Sequence, residues 1–326
     1  MKALVCTSWG PADTMSLQEM DDPELGPNDV RMEVHAAGLN FPDTLVIEGR
    51  YQFQPDFPFV PGAEAAGTVI EAGTAVKDYR PGDRVIWVGI SGAFAERVVC
   101  PASELIRMPD TMPFHVGASL LVTYGTTYYA LKQCAHVQAG EILLVLGAAG
   151  GVGLAAVDLG RAMGARVIAA ASSEEKLDVA CRAGATDRIN YSTGSLKDEI
   201  KALTSGRGAD VVYDPVGGAL SEPALRGTGW NGRFLVIGFA SGEIPSIPLN
   251  LPLLKNNAII GVFYGVWAKR DPAAHQQNIR ELFRLYESGA IKPLVGRVFS
   301  LDQYREAFGT LTGRKALGKV IFEIKP

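Results

Sequence analysis

Hydrophobic and polar positions alternate in short runs over residues 1–122, a pattern that predicts a β-rich unit. Runs such as DVRMEVHAAGL (29–39), GTVIEAG (67–73) and DRVIWVG (83–89) are separated by Gly, Pro and Asp residues. A helix is expected over FPDTLVIEG (41–49), because Asn40 precedes it as a candidate cap and Pro42 suits a first turn.

From about Thr123 the pattern changes to strands and helices in alternation. Several strands are continuous apolar runs, as expected when helices cover both faces of a parallel sheet. The second part of the chain is therefore predicted to be an α/β unit with a doubly wound parallel sheet. The predicted strands are EILLVLG, ARVIAAA, DRIN, ADVVYDPV, GRFLVIGF and AIIGVF, and the helices between them are VGLAAVDLGRAM, EEKLDVACRAG, LKDEIKALT and ALSEPALRG.

Beyond about Gly265 the pattern predicts a helix, a strand near GRVFS, a short helix and a closing strand, GKVIFEI. This tail is too small for a separate domain and is expected to pack on the first unit. The expected division is therefore one domain of residues 1–122 with 265–326, and a second of residues 123–264.

Composition and charge narrow the class of protein. The chain has 326 residues, about two domains' worth, with 47% hydrophobic and 20% charged residues, as in a globular protein with a sizeable core. The net charge of −4, without long runs of one sign, argues against a nucleic-acid partner. The four cysteines are far apart and no signal-peptide pattern opens the sequence, so we expect no disulfide framework and a cytoplasmic location.

The segment ILLVLGAAGGVGLAAVDLG (142–160) has no charge before Asp158. Its uncharged run is shorter than the roughly 20 residues that a membrane span needs, and glycines interrupt it. It is better explained as a buried strand (Ile142–Leu146), a tight turn and a helix (Val152–Met163). Such a turn suits a pyrophosphate, because glycines allow close approach to the helix start; a glycine-rich packing turn without ligand is the alternative.

The end of the next strand bears on which dinucleotide binds. NAD-preferring enzymes carry an Asp or Glu there, about 20 residues after the turn, for the ribose 2′-hydroxyl. Here Ser172 and Ser173 follow the strand and Lys176 stands close behind, which suits a 2′-phosphate. Glu174 and Glu175 put negative charge nearby, and we interpret them as first-turn helix residues. NADPH is therefore the predicted coenzyme.

Taken together, these segments resemble the zinc-independent quinone oxidoreductases, related to ζ-crystallin, of the medium-chain dehydrogenase/reductase superfamily. The resemblance implies a GroES-like catalytic domain, a Rossmann domain, and homodimers or homotetramers. It covers nearly the whole chain and is carried by AAGLNFPDTLVIEGRY (36–51), PFVPGAEAAGTVIEAG (58–73), PGDRV (81–85), YGTTYYAL (124–131), LGAAGGVG (146–153), SSEEKL (172–177), RINY (188–191), VIGFASG (236–242) and TGRKALGKVIFEI (312–324).

The resemblance also implies roles for individual residues. Asn40 and Thr126 match groups near the nicotinamide and its ribose, and Asn40 is a candidate catalytic residue. The pyrophosphate is expected along the turn residues Ala149, Gly150, Gly151 and Val152, and the adenosine 2′-phosphate beside Ser172, Ser173, Lys176 and Tyr191. The remaining expected coenzyme contacts are Gly238, Phe239, Ala240, Phe263, Gly265 and, in the C-terminal tail, Arg314, with Lys319 close by.

Departures from the zinc alcohol dehydrogenases predict an enzyme without metal. Those relatives have a Cys where this chain has Asn40, and GHE where it has GAE (62–64), so Glu64 alone cannot form a catalytic zinc site. Without a metal to polarise a simple ketone, a quinone or an α,β-unsaturated carbonyl compound suits hydride transfer better, because charge then develops on a distant oxygen.

Tyr51 is the candidate proton donor, because its segment IEGRYQ resembles the catalytic-tyrosine segment of mitochondrial enoyl reductases; a hydrogen-bonded wall residue is the alternative. The predicted function is an NADPH-dependent oxidoreductase acting on a small quinone or enone, with no nucleic-acid or membrane partner. Two alternatives remain: an enoyl-thioester reductase, and a non-catalytic NADPH-binding protein like the lens crystallins built on this scaffold.

Overall fold

The computed structural model describes residues 1–325, which form two compact units. The first unit comprises Met1–Val122 and the segment from Leu294 onward, and the second comprises Thr123–Pro293. Within the described residues, no helix is both long and apolar enough to cross a bilayer.

The first unit is built around a seven-stranded, mainly antiparallel sheet. Six strands lie in the order β14-β15-β3-β4-β5-β7, and β6 pairs with β3. The pattern in β3 alternates between buried and partly exposed residues, since one face covers the core. The strands of this unit are β1 (Lys2–Val5), β2 (Ser16–Glu19), β3 (Asp29–Leu39), β4 (Glu64–Ala72), β5 (Arg84–Val88), β6 (Arg97–Pro101), β7 (Leu105–Arg107), β14 (Val295–Ser300) and β15 (Lys319–Glu323).

Three α-helices accompany this sheet: α1 (Phe41–Ile47), α2 (Phe114–Leu120) and α11 (Tyr304–Thr312). Helix α1 begins where expected, after Asn40 and with Pro42 in its first turn. Its Asp43 carboxylate accepts the Asn40 backbone N–H at 2.7 Å, as in a capping box. The start of α1 is thus fixed to the end of β3.

The second unit contains a six-stranded parallel sheet in the order β10-β9-β8-β11-β12-β13. The chain leaves β8 in one direction for β9 and returns on its other side to β11, which is the strand order of a Rossmann fold. Ligands of such sheets bind outside the carboxyl ends of the strands at this reversal. The strands are β8 (Ile142–Leu146), β9 (Arg166–Ala171), β10 (Asp187–Asn190), β11 (Ala209–Asp214), β12 (Thr228–Val236) and β13 (Ala258–Gly261).

Helices pack on both faces of this sheet, and β8, β9 and β11 are almost completely buried. The predicted fold class, an α/β protein with a GroES-like unit and a Rossmann sheet, is confirmed. The helices are α3 (Thr126–Tyr129), flanked by π-helical turns at Leu121–Gly125 and Ala130–Cys134, then α4 (Gly151–Ala162), α5 (Glu174–Ala183), α6 (Leu196–Leu203), α7 (Ser221–Arg226), α8 (Asn250–Lys255), α9 (Tyr264–Arg270) and α10 (Pro272–Glu287).

The C-terminal boundary of the second unit differs from the expected residue 264. Helix α10 contacts α3 and α9, and its Glu281 accepts hydrogen bonds from Tyr128 at 2.6 Å and from Lys132. Asp158 on α4 also accepts the Lys292 backbone N–H at 2.6 Å. These contacts hold residues 265–293 to the second unit, and the returning tail begins only at Leu294.

Candidate functional site

The glycine turn after β8 leads directly into helix α4. Gly147 has a φ of 58°, the left-handed region that favours glycine, and Gly150 is the residue before the first helical turn. No side chain caps this helix start. The first backbone N–H groups of α4, at Gly151 and Val152, therefore point outward without intrahelical partners, as an anion-binding helix start requires.

Gly150 and Gly153 are glycines for different reasons. A Cβ on Gly153 would lie 2.2 Å from the Gly147 carbonyl oxygen, so close packing of helix on turn excludes it. A Cβ on Gly150 would meet a single neighbouring atom, at 3.5 Å. Nothing in the protein requires glycine at position 150, and its bare backbone leaves room that a phosphate group fits. The turn is therefore suited to a phosphate group.

At the carboxyl end of β9, Lys176 donates from Nζ to Ser172 Oγ at 3.0 Å. Ser173 caps α5, and its Oγ accepts the Lys176 backbone N–H at 3.4 Å. Tyr191 follows the neighbouring strand β10, and its N–H bonds the Ala171 carbonyl at 3.2 Å. An ammonium group and two hydroxyls thus lie together at the carboxyl end of β9, and the Tyr191 backbone is bonded to the last residue of that strand; its ring packs against the core of the second unit.

The carboxylate of Glu174 does not compete for Lys176. It accepts from Asn190 Nδ2 at 2.8 Å and lies 3.7 Å from the Arg188 guanidinium. This agrees with its interpretation as a first-turn helix residue, and a positively charged group remains beside Ser172.

The loops at the carboxyl ends of β11 and β12 are organised by Asp214, which the sequence analysis did not single out. Its carboxylate accepts from the backbone N–H groups of Val216 and Gly217 at 2.8 and 2.9 Å, and from Ser221 Oγ at 2.6 Å. The pKa of Asp214 is raised, because the effect of burial is larger than the opposite effect of these hydrogen bonds. Three residues in the adjoining loop were predicted to contact coenzyme: Gly238, Phe239 and Ala240. Ala240 N–H bonds the Pro215 carbonyl at 3.1 Å.

Helix α3 joins the glycine turn to α9. Thr127 Oγ1 lies 3.5 Å from the Val152 carbonyl oxygen, and a Cβ on Gly125 would lie 2.5 Å from the Tyr264 hydroxyl. Thr126, at the start of α3, is partly exposed beside both contacts. Of the two predicted residues at the start of α9, Phe263 is 60% exposed and Gly265 is also exposed, so neither is a core residue.

The candidate residue Asn40 belongs to a buried polar cluster in the first unit, formed with Asp43, Glu64 and Lys319. Lys319 Nζ donates to Glu64 Oε2 at 2.7 Å and to Asn40 Oδ1. Asn40 Nδ2 donates to the Gly38 carbonyl at 3.1 Å, and Glu64 Oε1 accepts the Val122 N–H at 2.9 Å. The side chain of Asn40 is thereby held in one orientation rather than serving as a helix cap.

Asp43 lies under this cluster. Burial raises its pKa to about 7, although hydrogen bonds from the Asn40 and Ala63 backbone N–H groups and the charge of Lys319 lower it. Burial also raises the pKa of Tyr51, and the Asp43 carboxylate raises it further. Tyr51 is partly buried against the first core and remains a protonated phenol at neutral pH. Arg314 lies on an exposed segment after α11, with a φ of 56°.

The residues present do not fit a catalytic zinc ion. Among residues 1–325 no three His, Cys, Asp or Glu side chains converge as metal ligands. Glu64 is the residue that matches the GHE motif of the zinc alcohol dehydrogenases, and its carboxylate is already bonded to the Lys319 ammonium.

Comparison with known proteins identifies the family. Residues 26–110 match the alcohol dehydrogenase GroES-like domain, and residues 151–286 match the zinc-binding dehydrogenase domain. Quinone oxidoreductase-like protein 2 of Rattus norvegicus is 40% identical over 325 residues, 99% of this chain and 92% of the relative. The chain belongs to the quinone oxidoreductase family of the medium-chain dehydrogenase/reductases. The family predicted from the sequence motifs is confirmed.

Solved quinone oxidoreductases share the whole fold. The enzyme of Pseudomonas syringae superposes with a TM-score of 0.93 at 31% identity, with 99% of both chains covered. The Escherichia coli quinone oxidoreductase, solved as a complex with NADPH, gives a TM-score of 0.93 at 28% identity, covering 99% of this chain and 100% of the relative. As a member of this family, the chain is an oxidoreductase by descent.

Proposed function

We propose that this protein uses NADPH to transfer hydride to quinones or α,β-unsaturated carbonyl compounds, without a catalytic zinc ion. The observation that carries the coenzyme assignment is the Lys176–Ser172 pair at the end of β9. An ammonium and a hydroxyl there attract a 2′-phosphate, whereas the carboxylate of NAD-preferring enzymes would repel it. The uncapped start of α4 and the open backbone at Gly150 support a pyrophosphate next to it.

Bound NADPH would supply the hydride. The Gly151 and Val152 N–H groups would hold its pyrophosphate, and Ser172, Ser173, Lys176 and Tyr191 would hold its 2′-phosphate and adenosine. Asn40, held by Lys319, is proposed to orient the nicotinamide ribose, and Tyr51 to give a proton or a hydrogen bond to the oxygen of the reduced acceptor. The ion pair of Lys319 with Glu64 supports a reaction without metal.

The coenzyme assignment is tested by the preference for NADPH over NADH. We expect wild type to have a lower KM for NADPH, and Lys176→Gln to lose about tenfold of that preference, since a charge-assisted hydrogen bond is removed. The KM for NADH should stay unchanged, because NADH lacks the 2′-phosphate. A wild-type preference for NADH would overturn the assignment.

The acceptor class is tested by NADPH oxidation at 340 nm with a quinone, an enone and a crotonyl thioester. Turnover of the quinone or enone, undiminished by chelators, is the expected result. Preference for the thioester would favour an enoyl-thioester reductase. Tight NADPH binding without turnover of any acceptor would favour the non-catalytic, crystallin-like alternative.

The proton-donor role is tested with Tyr51→Phe. We expect kcat to fall about 100-fold, the lower range for loss of a general acid, while the Kd for NADPH stays unchanged. Unchanged turnover would show that Tyr51 is only a wall residue.

We further propose that the protein forms a homodimer through the edge of its parallel sheet. Strand β13 pairs only with β12 among the described residues, so its outer edge offers unpaired backbone groups. Exposed apolar side chains also occur on β13 and on the chain segments just before and after it, and they are Ile244, Leu249, Leu253, Leu254, Ile259 and Phe263. A second copy that adds its own β13 would cover them and continue the sheet.

A further inference from the structure

The second unit contains a cavity of about 220 Å³ that the proposed reaction does not use. It lies where β11 and β12 begin, beside Gly208 and Thr228. The glycine turn follows the opposite, carboxyl end of β8, and β8 runs parallel to β11. A strand of six residues spans about 20 Å, so the cavity and the coenzyme turn lie at opposite edges of the sheet.

The cavity is strongly basic. Lys201, Arg207, Arg226 and Lys255 line it, and Lys197 is close enough to repel Lys255. Burial lowers the pKa of Lys255, and the charges of Lys201, Lys197 and Arg226 lower it further. This concentration of positive charge stands out in a chain with a net charge of −4.

Nearby carboxylates neutralise only part of this charge. Arg226 bonds Glu222 at 2.7 Å, and Arg207 lies 3.4 Å from Asp210. Among residues 1–325, no carboxylate forms an ion pair with any of the three lysines, Lys197, Lys201 and Lys255. The unbalanced potential is therefore that of three ammonium groups, which attracts an anion.

The ammonium group of Lys255 is also fixed in place. It donates to the carbonyl oxygens of Arg226 and Thr228, both at 2.6 Å, which leaves one of its three N–H groups for a ligand. A donor that is already ordered loses less entropy when a ligand binds. Gly208 has a φ of 85°, and a Cβ there would lie 2.6 Å from the Gly229 nitrogen, so the wall of the cavity is bare backbone.

Helix ends account for part of this arrangement. Lys201, Arg226 and Lys255 lie in the last turns of α6, α7 and α8, where a cation favours the helix dipole. That effect is local to each helix and does not favour bringing the three charges together. The helix dipoles also do not explain why an indole, that of Trp230, lines the same cavity while it is 69% exposed.

We propose that this cavity binds a phosphate monoester that carries an aromatic group, with the basic side chains holding the phosphate and Trp230 stacking on the ring. Lysine and arginine donors suit phosphate oxygens, and an indole face suits a planar group. The volume fits such a small ester rather than a dinucleotide, because ligand pockets for larger molecules begin at about 300 Å³.

Calorimetric titration of the full chain with phenyl phosphate, inorganic phosphate and phenol tests this proposal. We expect phenyl phosphate to bind more tightly than phosphate, and phenol not to bind. The double variant Lys201→Gln/Arg207→Gln should weaken the binding of phenyl phosphate and of inorganic phosphate about tenfold or more. Both replaced side chains are exposed, so folding is preserved. Trp230→Leu should remove only the advantage of phenyl phosphate.

Lys176→Gln is the control for binding at the coenzyme 2′-phosphate site, and it should leave both affinities unchanged. Binding that is lost in Lys176→Gln but kept in the Lys201→Gln/Arg207→Gln variant would overturn the proposal. So would the absence of binding to wild type at concentrations on the order of 10 mM. Neither result depends on whether the protein reduces quinones.

Discussion

Lys319 brings a positive charge into the interior of the first unit, where it is only 4% exposed. A buried carboxylate such as that of Glu64 is costly without a partner, and the ammonium at 2.7 Å supplies one. The same ammonium orients Asn40. One residue thus connects the stability of the β-rich unit with the geometry of a candidate catalytic side chain.

Lys319→Met should be strongly destabilising, because it leaves Glu64 buried and unpaired. The expected loss in the free energy of unfolding is roughly 3–5 kcal/mol, measured by urea denaturation. The matched control is Lys325→Met, on the same C-terminal segment, whose partner Glu33 is near the surface; its cost should stay below about 1 kcal/mol.

The double variant Lys319→Met/Glu64→Gln should recover part of the loss, since the unpaired charge is then gone. Equal costs for the two lysines would contradict the structural role of Lys319.

Asp43 makes stability depend on pH. Its folded-state pKa of about 7 is above the ordinary value of 3.8, so the folded protein binds more protons than the unfolded chain between these values. The stability that this group contributes is present below about pH 4 and is lost as the pH rises through 7.

Relative to Asp43→Asn, wild type should therefore lose free energy of unfolding between pH 5 and pH 7, at up to about 1.4 kcal/mol per pH unit, and level off above. Denaturation of both proteins at pH 5, 6, 7 and 8 measures this difference. A wild-type advantage that grows with pH in this range would refute the assigned direction.

Among the elements, the turn between β8 and α4 contains one glycine that packing requires, Gly153, and one that we propose serves binding, Gly150. The Gly147 carbonyl excludes a side chain at Gly153, whereas a Cβ on Gly150 would meet that carbonyl oxygen at an ordinary 3.5 Å, and Gly150 has an ordinary φ of −77°. Two glycines three residues apart can therefore be tested independently with the same substitution.

Gly150→Ala should keep the thermal unfolding midpoint of wild type and weaken NADPH binding about tenfold or more, because the added methyl group would occupy the space that we propose for the phosphate. Gly153→Ala should instead lower the midpoint, at a cost of roughly 1–3 kcal/mol from overpacking. Calorimetry of NADPH binding and unfolding without coenzyme distinguish the two. An unchanged affinity in Gly150→Ala would place the pyrophosphate elsewhere.

Sequence patterns predicted most elements but few of their tertiary contacts. The limits of β3, β8 and β10 agree with the predicted ones, and α4 begins one residue earlier, because apolar runs and glycines mark those limits. Helices α8 and α9 were missed, since exposed apolar residues such as Leu253 and Leu254 on α8 and Val266 on α9 gave no amphipathic pattern. The Asn40–Glu64–Lys319 cluster joins residues that are far apart in the sequence. Asn40 and Glu64 are 24 positions apart, and Lys319 is 255 or more positions from both. Lysine is also normally expected at the surface.

At the scale of the whole molecule, the outer edge of the parallel sheet, at β13, has backbone groups that no other strand of the described residues pairs. Parallel sheets are normally covered, yet β13 has exposed residues along most of its length, and α8, which precedes it in the chain, has exposed leucines. An uncovered apolar edge of this kind invites pairing with another strand. The proposed homodimer uses the edge, whereas a stable monomer would require a charged or shielded one.

Ile259→Lys should convert the dimer into a monomer, because a lysine on an edge strand opposes pairing and burial of its charge in the interface is unfavourable. Light scattering after size-exclusion chromatography, at micromolar concentration, should give twice the mass of one chain for wild type and a single chain for the variant. Ile70→Lys is the matched control: Ile70 lies on β4 and is 37% exposed, against 41% for Ile259. Since Ile70 belongs to the sheet of the first unit and not to the parallel sheet, its replacement should leave the mass unchanged. A monomeric wild type, or a variant Ile259→Lys that stays dimeric, would remove β13 as the interface.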